Sequence, residues 1–478
     1  MLDLSNYLCT DEDYYIYGTT SLGSFFYKEI TALSSHEHIL GFLETKPTIE
    51  KYLGKTVLSP RELENVNDHA KVILASSTHF RSMKKELVAC GVSEERIVIP
   101  YEVYDSFKTL YGLGQTVIRK ICFWPPIEEC NDDLSKKIAW FCPDRIEVNV
   151  WCEDKSIRKN FSDNVFYKSI IDVDKVFAES DAIFVWRVDT DRREYEKYIS
   201  KTYIVDPNFY LYIETLNYSK LYYSSFSNQE KDRYINKSKE IFLELKDSVN
   251  SFTKARVFCS GPSIDEIYNN EYRDSVNIIC NSMVKDKKWL ESVKPKILTF
   301  TDLNYFLSPT SYCKKFFEDV IEGYRLYHYY IVVFEYEIPL LIKHYPELSG
   351  KVIGITNDEN RFVYPSETNL KVKFTRNILT EMMLPLASAL CDDIEIAGCT
   401  GRNPDENFYW KHNGRTQYLE LMQSIFDMYP SLFRDQDYAN YYDYHCQCVE
   451  GILEYGEKCG KQYKNLTTSY IPALAKRT

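Results

Sequence analysis

ARVFCSGPSIDEIYNN, residues 255–270, changes character in its middle. An apolar run reaches Cys259 and Ser260, Gly261, Pro262 and Ser263 interrupt it, and a segment of helical character follows. A small-residue turn between a strand and a helix suits a bound phosphate. Gly261 has no Cβ, so the backbone can approach a ligand closely. Pro262 restricts the loop, and its missing N–H is no loss in a first helical turn. Ser263 suits a cap or a phosphate oxygen, and exposed N–H groups at a helix start attract anions. A purely structural strand-to-helix turn explains the same residues equally well.

Downstream, VNIICNSMV (276–284) is a strand ending at Asn281, and KPKILTFTDLNYF (294–306) holds another, followed by Thr301 and Asp302. YYIVVFEYE and KVIGITN follow as strands, and NILTEMMLPLASALC reads as a helix. It leads into DDIEIAGCTGR (392–402), a strand ending at Gly398 and followed by Gly401 and Arg402. Small or polar residues thus recur at carboxyl ends of strands, the ligand-binding edge of an open α/β sheet.

Upstream, YYIYGTTSLGSFFYKEI (14–30) reads as strand, glycine turn and helix. KVILASST (71–78) is a buried strand, RSMKKELVACGV a helix stopped by Gly91, and RIVIP (96–100) a third strand. Strands alternating with helices imply a parallel sheet. KIAWFC, IEVNVW, AIFVWRV and YIVD suggest a second unit of the same kind. Residues 228–250, with no Pro or Gly and a helical period, read as a connecting helix that holds the last domain boundary. The expected fold class is α/β, with two or three Rossmann-like domains and mostly parallel sheets. Their expected bounds are 1–115, 116–230 and 231–478.

Composition excludes some classes. A net charge of −12 argues against a nucleic-acid groove, which needs a basic stripe. The 14 cysteines show no C-x-x-C, so neither a zinc site nor a disulfide framework is expected. The N-terminus has no basic and apolar leader, and no apolar run spans a membrane. These features point to a reduced cytoplasmic protein. The 40 tyrosines are mostly core filler on this reading, although Tyr also stacks well on sugars and bases. Asp189-Thr190-Asp191 has the D-x-D form that holds a divalent cation against a sugar-nucleotide diphosphate. A solvated loop after a strand accounts for it better, and no metal ligand is assigned.

Four motifs in order, GPSIDEI, IICNSM, IEIAGCTGR and FYWKHN, resemble those of the bacterial sialyltransferases of glycosyltransferase family 42. They also resemble the related motility-accessory-factor-like proteins, which are associated with nonulosonic acids. The resemblance covers about residues 254–474 and implies a GT-A-variant domain at the C-terminus. It implies that Gly261, Pro262, Ser263 and Asn281 hold a cytidine nucleotide. It adds Ser469 as a contact on the nucleotide side, and Thr301, Asp302 and Gly398, read from the strand ends, with Asn377 complete the expected donor pocket. His412 would be the general base and Tyr409 would bond the leaving phosphate; Arg402, outside the family's pattern, is a further candidate for that charge. Two departures stand out: Arg376, Asn377 and Thr380 replace the family's T-S-G, and GCTGR replaces its late Asp. They bear on the donor's sugar more than on its nucleotide. At the N-terminus, Gly18 and Gly23, with ILGFLETKP and TVLSPRELE, resemble sugar-nucleotide-epimerase-like or CoA-binding-like modules of bacterial glycan enzymes.

The expected activity is a metal-independent transfer of a sialic-acid-like sugar from a CMP-activated donor to a glycan or glycoprotein acceptor. No further cofactor is required. A histidine base has the right pKa for the acceptor hydroxyl, and preorganised donors suit a departing monophosphate. His69 and His344 read as surface or satisfied core residues. Peripheral association with glycan-assembly machinery follows from such a role. Three alternatives stand beside it: an ATP/Mg²⁺-dependent pterin pyrophosphokinase-like enzyme using Asp302, a UDP- or GDP-sugar transferase using Asp189 and Asp191, and a non-catalytic nucleotide-binding scaffold.

Overall fold

The computed structural model describes residues 12–33, 38–65, 69–77, 79–106, 117–126, 140–142, 144–151, 165–168, 173–205, 216–301, 306–403, 413–428 and 438–478. The chain forms two compact units. The first is Met1–Ser225 with Tyr429–Gln436, and the second is Phe226–Met428 with Asp437–Thr478.

The first unit holds two sheets. One runs β3-β4-β2-β1-β5-β6, from β1 (Tyr14–Tyr17), β2 (Ile39–Leu43), β3 (Lys51–Tyr52), β4 (Lys55–Leu58), β5 (Lys71–Leu74) and β6 (Ile97–Val98). It is parallel except for the β3–β4 hairpin. The other runs β11-β10-β7-β8-β9, all parallel, from β7 (Lys120–Trp124), β8 (Glu147–Trp151), β9 (Val165–Lys168), β10 (Ala182–Val185) and β11 (Thr202–Ile204). Ile16, Phe26, Trp124, Trp151, Phe177 and Ile183 lie in one core cluster, so the two sheets share apolar packing.

The second unit is built on eight parallel strands in the order β17-β16-β15-β14-β13-β12-β18-β19. They are β12 (Lys254–Phe258), β13 (Val276–Cys280), β14 (Ile297–Thr299), β15 (Tyr330–Phe334), β16 (Val352–Glu359), β17 (Lys371–Lys373), β18 (Asp393–Ala397) and β19 (Gln462–Asn465). Every residue of β13 and β15 is buried. Strands covered on both faces read as near-continuous apolar runs, as YIVVF does throughout and VNIIC does apart from Asn277, whose side chain donates to backbone carbonyls. The fold class is therefore α/β with mostly parallel sheets, in agreement with the sequence reading.

The helix Asn228–Val249 follows the start of this unit. Ser227 and Glu230 form a reciprocal capping box at its N-terminus, which satisfies two otherwise unpaired donors. Ser238, Ile241, Phe242, Leu245 and Val249 form its buried stripe at helical spacing. Burying a side chain such as Phe242 contributes about 1.5–3 kcal/mol. The Ser238 hydroxyl accepts from the Gly354 amide at 3.0 Å, which seats the helix on β16.

One expectation is corrected. The segment after the Gly261 turn is a 3₁₀ helix, Pro262–Ile267, not a longer α-helix. Six residues carry little macrodipole, so the argument that this helix start attracts an anion loses its force.

Candidate functional site

Strand order places the turn. The chain leaves β12 for β13 on one side and returns as β18 on the other. Adjacent connections therefore diverge between the carboxyl ends of β12 and β18, and in open α/β sheets that crevice is the ligand site. Ser260–Ser263 leaves β12 there, and Gly398–Arg402 leaves β18.

Two glycines set the close approach of these loops. The Gly261 amide donates to the Gly398 carbonyl at 2.9 Å. A Cβ on Gly261 would lie 2.5 Å from the Gly398 oxygen and 2.6 Å from Thr400 Oγ1. A Cβ on Gly398, whose φ is +73°, would lie 2.2 Å from the Cys259 oxygen. The missing Cβ atoms thus admit the neighbouring loop, a reason the sequence reading did not foresee.

The hydroxyls nearby are engaged with one another. Ser263 is buried, its amide donates to Thr400 Oγ1 at 2.9 Å, and Thr400 Oγ1 donates to Ser263 Oγ at 2.8 Å. Ser263 Oγ also reaches Thr467 Oγ1 at 3.3 Å, and Thr467 Oγ1 accepts from the Gly398 amide at 3.0 Å. Ser469 donates to the Cys399 carbonyl at 2.6 Å and accepts from the Ile471 amide at 3.1 Å. Asn377 accepts from the Leu379 amide at 3.0 Å, opening the next helical segment, and Thr301 is buried just past β14. Ser263 and Ser469 therefore knit strand ends together.

Asn281 behaves differently. It lies just past β13 with φ +47°, a left-handed backbone. Its Oδ1 is buried without a hydrogen-bond partner among the described residues. Asn tolerates this backbone better than most residues. An acceptor buried without a donor is nevertheless costly, and the group points to something that supplies one.

Cys259, Cys280 and Cys399 also meet at the strand ends. The hydrogen bond with Cys280 works to lower the Cys259 pKa, but contact with Cys399 and burial outweigh it and hold the thiol well above its ordinary value. The contact with Cys259 and burial likewise raise Cys280. Protonated thiols are poor nucleophiles at neutral pH.

Arg402 follows Gly401, whose φ is +76°, at the crevice rim. A Cβ on Gly401 would lie 3.0 Å from the Tyr442 hydroxyl. Burial raises the Tyr442 phenol well above its ordinary value, so it stays a protonated donor. Its neighbour Tyr441 donates to the Arg376 carbonyl at 2.6 Å and accepts from Asn377 Nδ2 at 3.1 Å. The first described turn of the helix Tyr438–Lys458 thus touches both the Gly401 loop and the Arg376 segment. The sequence reading missed these tyrosines, although YYDYH at 441–445 was a visible aromatic cluster.

Tyr409, His412 and Asp302 lie outside the described residues. The residue after His412 is pinned to the turn. The Asn413 amide donates to the Ser260 carbonyl at 3.1 Å, and its side chain donates to Asp265 at 2.6 Å. Arg415 pairs with Asp265 and packs its guanidinium 4.0 Å from the centre of the Tyr268 ring.

In the first unit, both carboxylates of the D-x-D triplet already hold cations. Buried Asp189 accepts from Ser24 at 2.9 Å and from Arg187 at 3.0 and 2.8 Å, and it pairs with Lys28. Burial alone would raise its carboxyl, but the bonds from Arg187 and Ser24 and the charges of Arg187 and Lys28 outweigh it and lower the pKa. Asp191 is bonded by the Arg193 side chain and amide, which lower its pKa. Among the described residues no group of three or more His, Cys, Asp or Glu is arranged to hold a metal ion. Among them, no helix is long and apolar enough to cross a membrane.

The fold is α/β with mostly parallel sheets, and its candidate ligand site lies at the β12–β18 switch in strand order. Comparison with family models, curated proteins and solved structures finds no match.

Proposed function

We propose that the second unit is a glycosyltransferase that passes a nonulosonic sugar from a CMP-activated donor to a glycan or glycoprotein acceptor. The observation that carries the reading is Asn281. A buried acceptor without a donor costs about 1–3 kcal/mol, and a left-handed non-glycine adds about 1–2 kcal/mol. Two costs at one residue beside a switch-point crevice suit a ligand contact. The amino group of cytosine or a ribose hydroxyl is a fitting donor to Asn281 Oδ1. The order of the four sequence motifs supports the same reading.

In this mechanism the acceptor oxygen bonds to the donor's anomeric carbon as the bond from that carbon to the CMP phosphate oxygen breaks. His412 takes the acceptor's proton. Arg402 and the Tyr442 hydroxyl donate to the departing phosphate, and donors held in place before reaction are the effective kind. Tyr409 takes a supporting part in the same contact.

Calorimetric titration with CMP, UDP, GDP and ATP, each with and without Mg²⁺, tests the nucleotide. The reading expects CMP to bind, independently of metal. Binding of ATP only with Mg²⁺ would replace it with the pyrophosphokinase-like alternative. His412→Ala should lower turnover by about 10²–10⁴-fold and leave CMP affinity intact. Turnover that survives the change would leave a nucleotide-binding protein without this base.

A further inference from the structure

Beyond β17 the chain reads KVKFTRN, residues 371–377. β17 is one of the two edge strands of the eight-stranded sheet, and the residues after it carry an unusual combination. Phe374 is 48% exposed, and Tyr444 beside it is 38% exposed. The Tyr444 hydroxyl reaches the Phe374 carbonyl at 3.5 Å. The Arg376 guanidinium lies 5.7 Å from the Phe374 ring centre. From these residues we propose that Phe374, Arg376 and Tyr444 form a subsite for a carboxylate-bearing sugar ring. The proposal deepens the glycosyltransferase reading and rests on it for the donor.

Three observations support it. First, Arg376 has φ +60°, and a dedicated clamp holds it there: Tyr441 donates to its carbonyl, and Asn377 donates to Tyr441. Second, among the described residues no carboxylate lies within ion-pair distance of Arg376. Lys373 is in the same position, its ammonium 4.3 Å from the Phe362 ring centre. By contrast, Lys371, two residues earlier than Lys373, pairs with Asp358 at 2.7 Å. The nearby Glu381 is buried and accepts from Asn357 at 2.9 Å. Third, each cation lies over an aromatic ring, Arg376 over exposed Phe374 and Lys373 over half-buried Phe362.

The chemistry selects the ligand. An aromatic ring packs well against the apolar face of a pyranose. A guanidinium presents two parallel donors to a planar carboxylate, which gives both strength and orientation. A neutral sugar would leave the two cations without a counter-charge. The carboxylate can come from the donor's nonulosonic sugar or from an acidic acceptor glycan, and the test separates the two.

Affinities of the full-length chain would be measured for CMP, CMP-sialic acid and sialyllactose, in the wild type, Arg376→Gln and Arg376→Asn. Asn tolerates the left-handed backbone, so Arg376→Asn guards against loss through misfolding. The subsite predicts that both variants keep CMP affinity within about twofold and lose about 10–100-fold for the carboxylate-bearing ligand that binds there. A loss confined to CMP-sialic acid assigns the site to the donor, and a loss for sialyllactose assigns it to the acceptor. If CMP binds normally and neither sugar ligand is weakened in the variants, the subsite is overturned while the nucleotide reading stands. If CMP fails to bind the wild type, the nucleotide reading falls, and Arg376-dependent binding of sialyllactose still upholds the subsite. Wild-type protein that binds neither sugar ligand overturns it.

Discussion

The Gly261 amide donates to the Gly398 carbonyl across 2.9 Å, and neither residue has room for a Cβ. The contact joins the ends of β12 and β18, where the order of strand connection reverses. Gly261→Ala should cost about 1–3 kcal/mol, because the new methyl meets backbone and a held hydroxyl rather than a flexible side-chain tip. Gly398→Ala should cost more, since its left-handed φ adds about 1 kcal/mol. Gly350→Ala is the control in the same unit, with nothing within 4 Å of its Cβ position. Urea melts of the three variants check the order. Equal stability of Gly261→Ala and Gly350→Ala would mean that the loops part easily and the contact does not hold the crevice.

Asn281 separates stability from binding. Replacing it with glycine removes a left-handed non-glycine residue and a buried acceptor without a donor. Both changes favour the folded state, so Asn281→Gly should melt at the wild-type temperature or higher. CMP affinity should fall by about tenfold or more with the lost hydrogen bond. Destabilisation with intact CMP binding would make Asn281 a structural residue and remove the main support for the nucleotide reading.

The Asp189 network makes a prediction of the opposite kind. Its carboxylate is held by Arg187, Ser24 and Lys28, so the first unit should gain nothing from divalent cations. Melting temperatures in EDTA, MgCl₂ and MnCl₂ should agree. Asp189→Asn removes the charge and should cost about 1–3 kcal/mol. The folded pKa is lowered below the ordinary 3.8, so the charge contributes fully above that value and is lost as pH falls through the folded pKa. The gap between wild type and Asp189→Asn should therefore be constant from neutral pH to about pH 5 and close in stronger acid. A melting temperature raised by Mn²⁺ and insensitive to Mg²⁺ would return the triplet to the metal-site reading.

Local pattern carried much of the second unit. YIVVF is legible as an unbroken apolar run, and VNIIC and IEIA as mainly apolar ones, because buried parallel strands need such runs. The helix from Asn228 is legible because its period meets no Pro or Gly, and S-x-x-E stands at its start. β7, KICFW, was missed although it is the strand from which the second sheet is laid out in both directions. Its five residues run straight into two prolines and resemble a loop. β17 has no apolar run at all and exists because the end of β16 offers it partners. The site was legible as positions, not as bonds. That Ser263 would meet Thr400 and Thr467, 137 and 204 residues away, depends on β12, β18 and β19 ending side by side. The clamp from Tyr441 to Arg376 spans 65 residues and leaves no local trace.

His445 tests the packing of the helix Tyr438–Lys458. It is 2% exposed, its ring lies roughly parallel to Tyr441, and burial pushes its pKa down from 6.5 to about 4. The folded state thus holds the neutral imidazole, while the unfolded chain takes up a proton below about pH 6.5. A depressed folded pKa contributes stability above the unfolded value and loses it as pH falls, here between about 6.5 and 4. The full loss is at most about 3 kcal/mol, the product of the shift and 1.36 kcal/mol per unit. Other groups titrate in the same range, so the informative quantity is the difference between the wild type and His445→Gln. That difference should favour the wild type most at pH 7.5 and shrink or reverse by pH 5. A difference that stays constant between these pH values would place the imidazole in contact with water and the helix Tyr438–Lys458 less firmly against the site than its hydrogen bonds indicate.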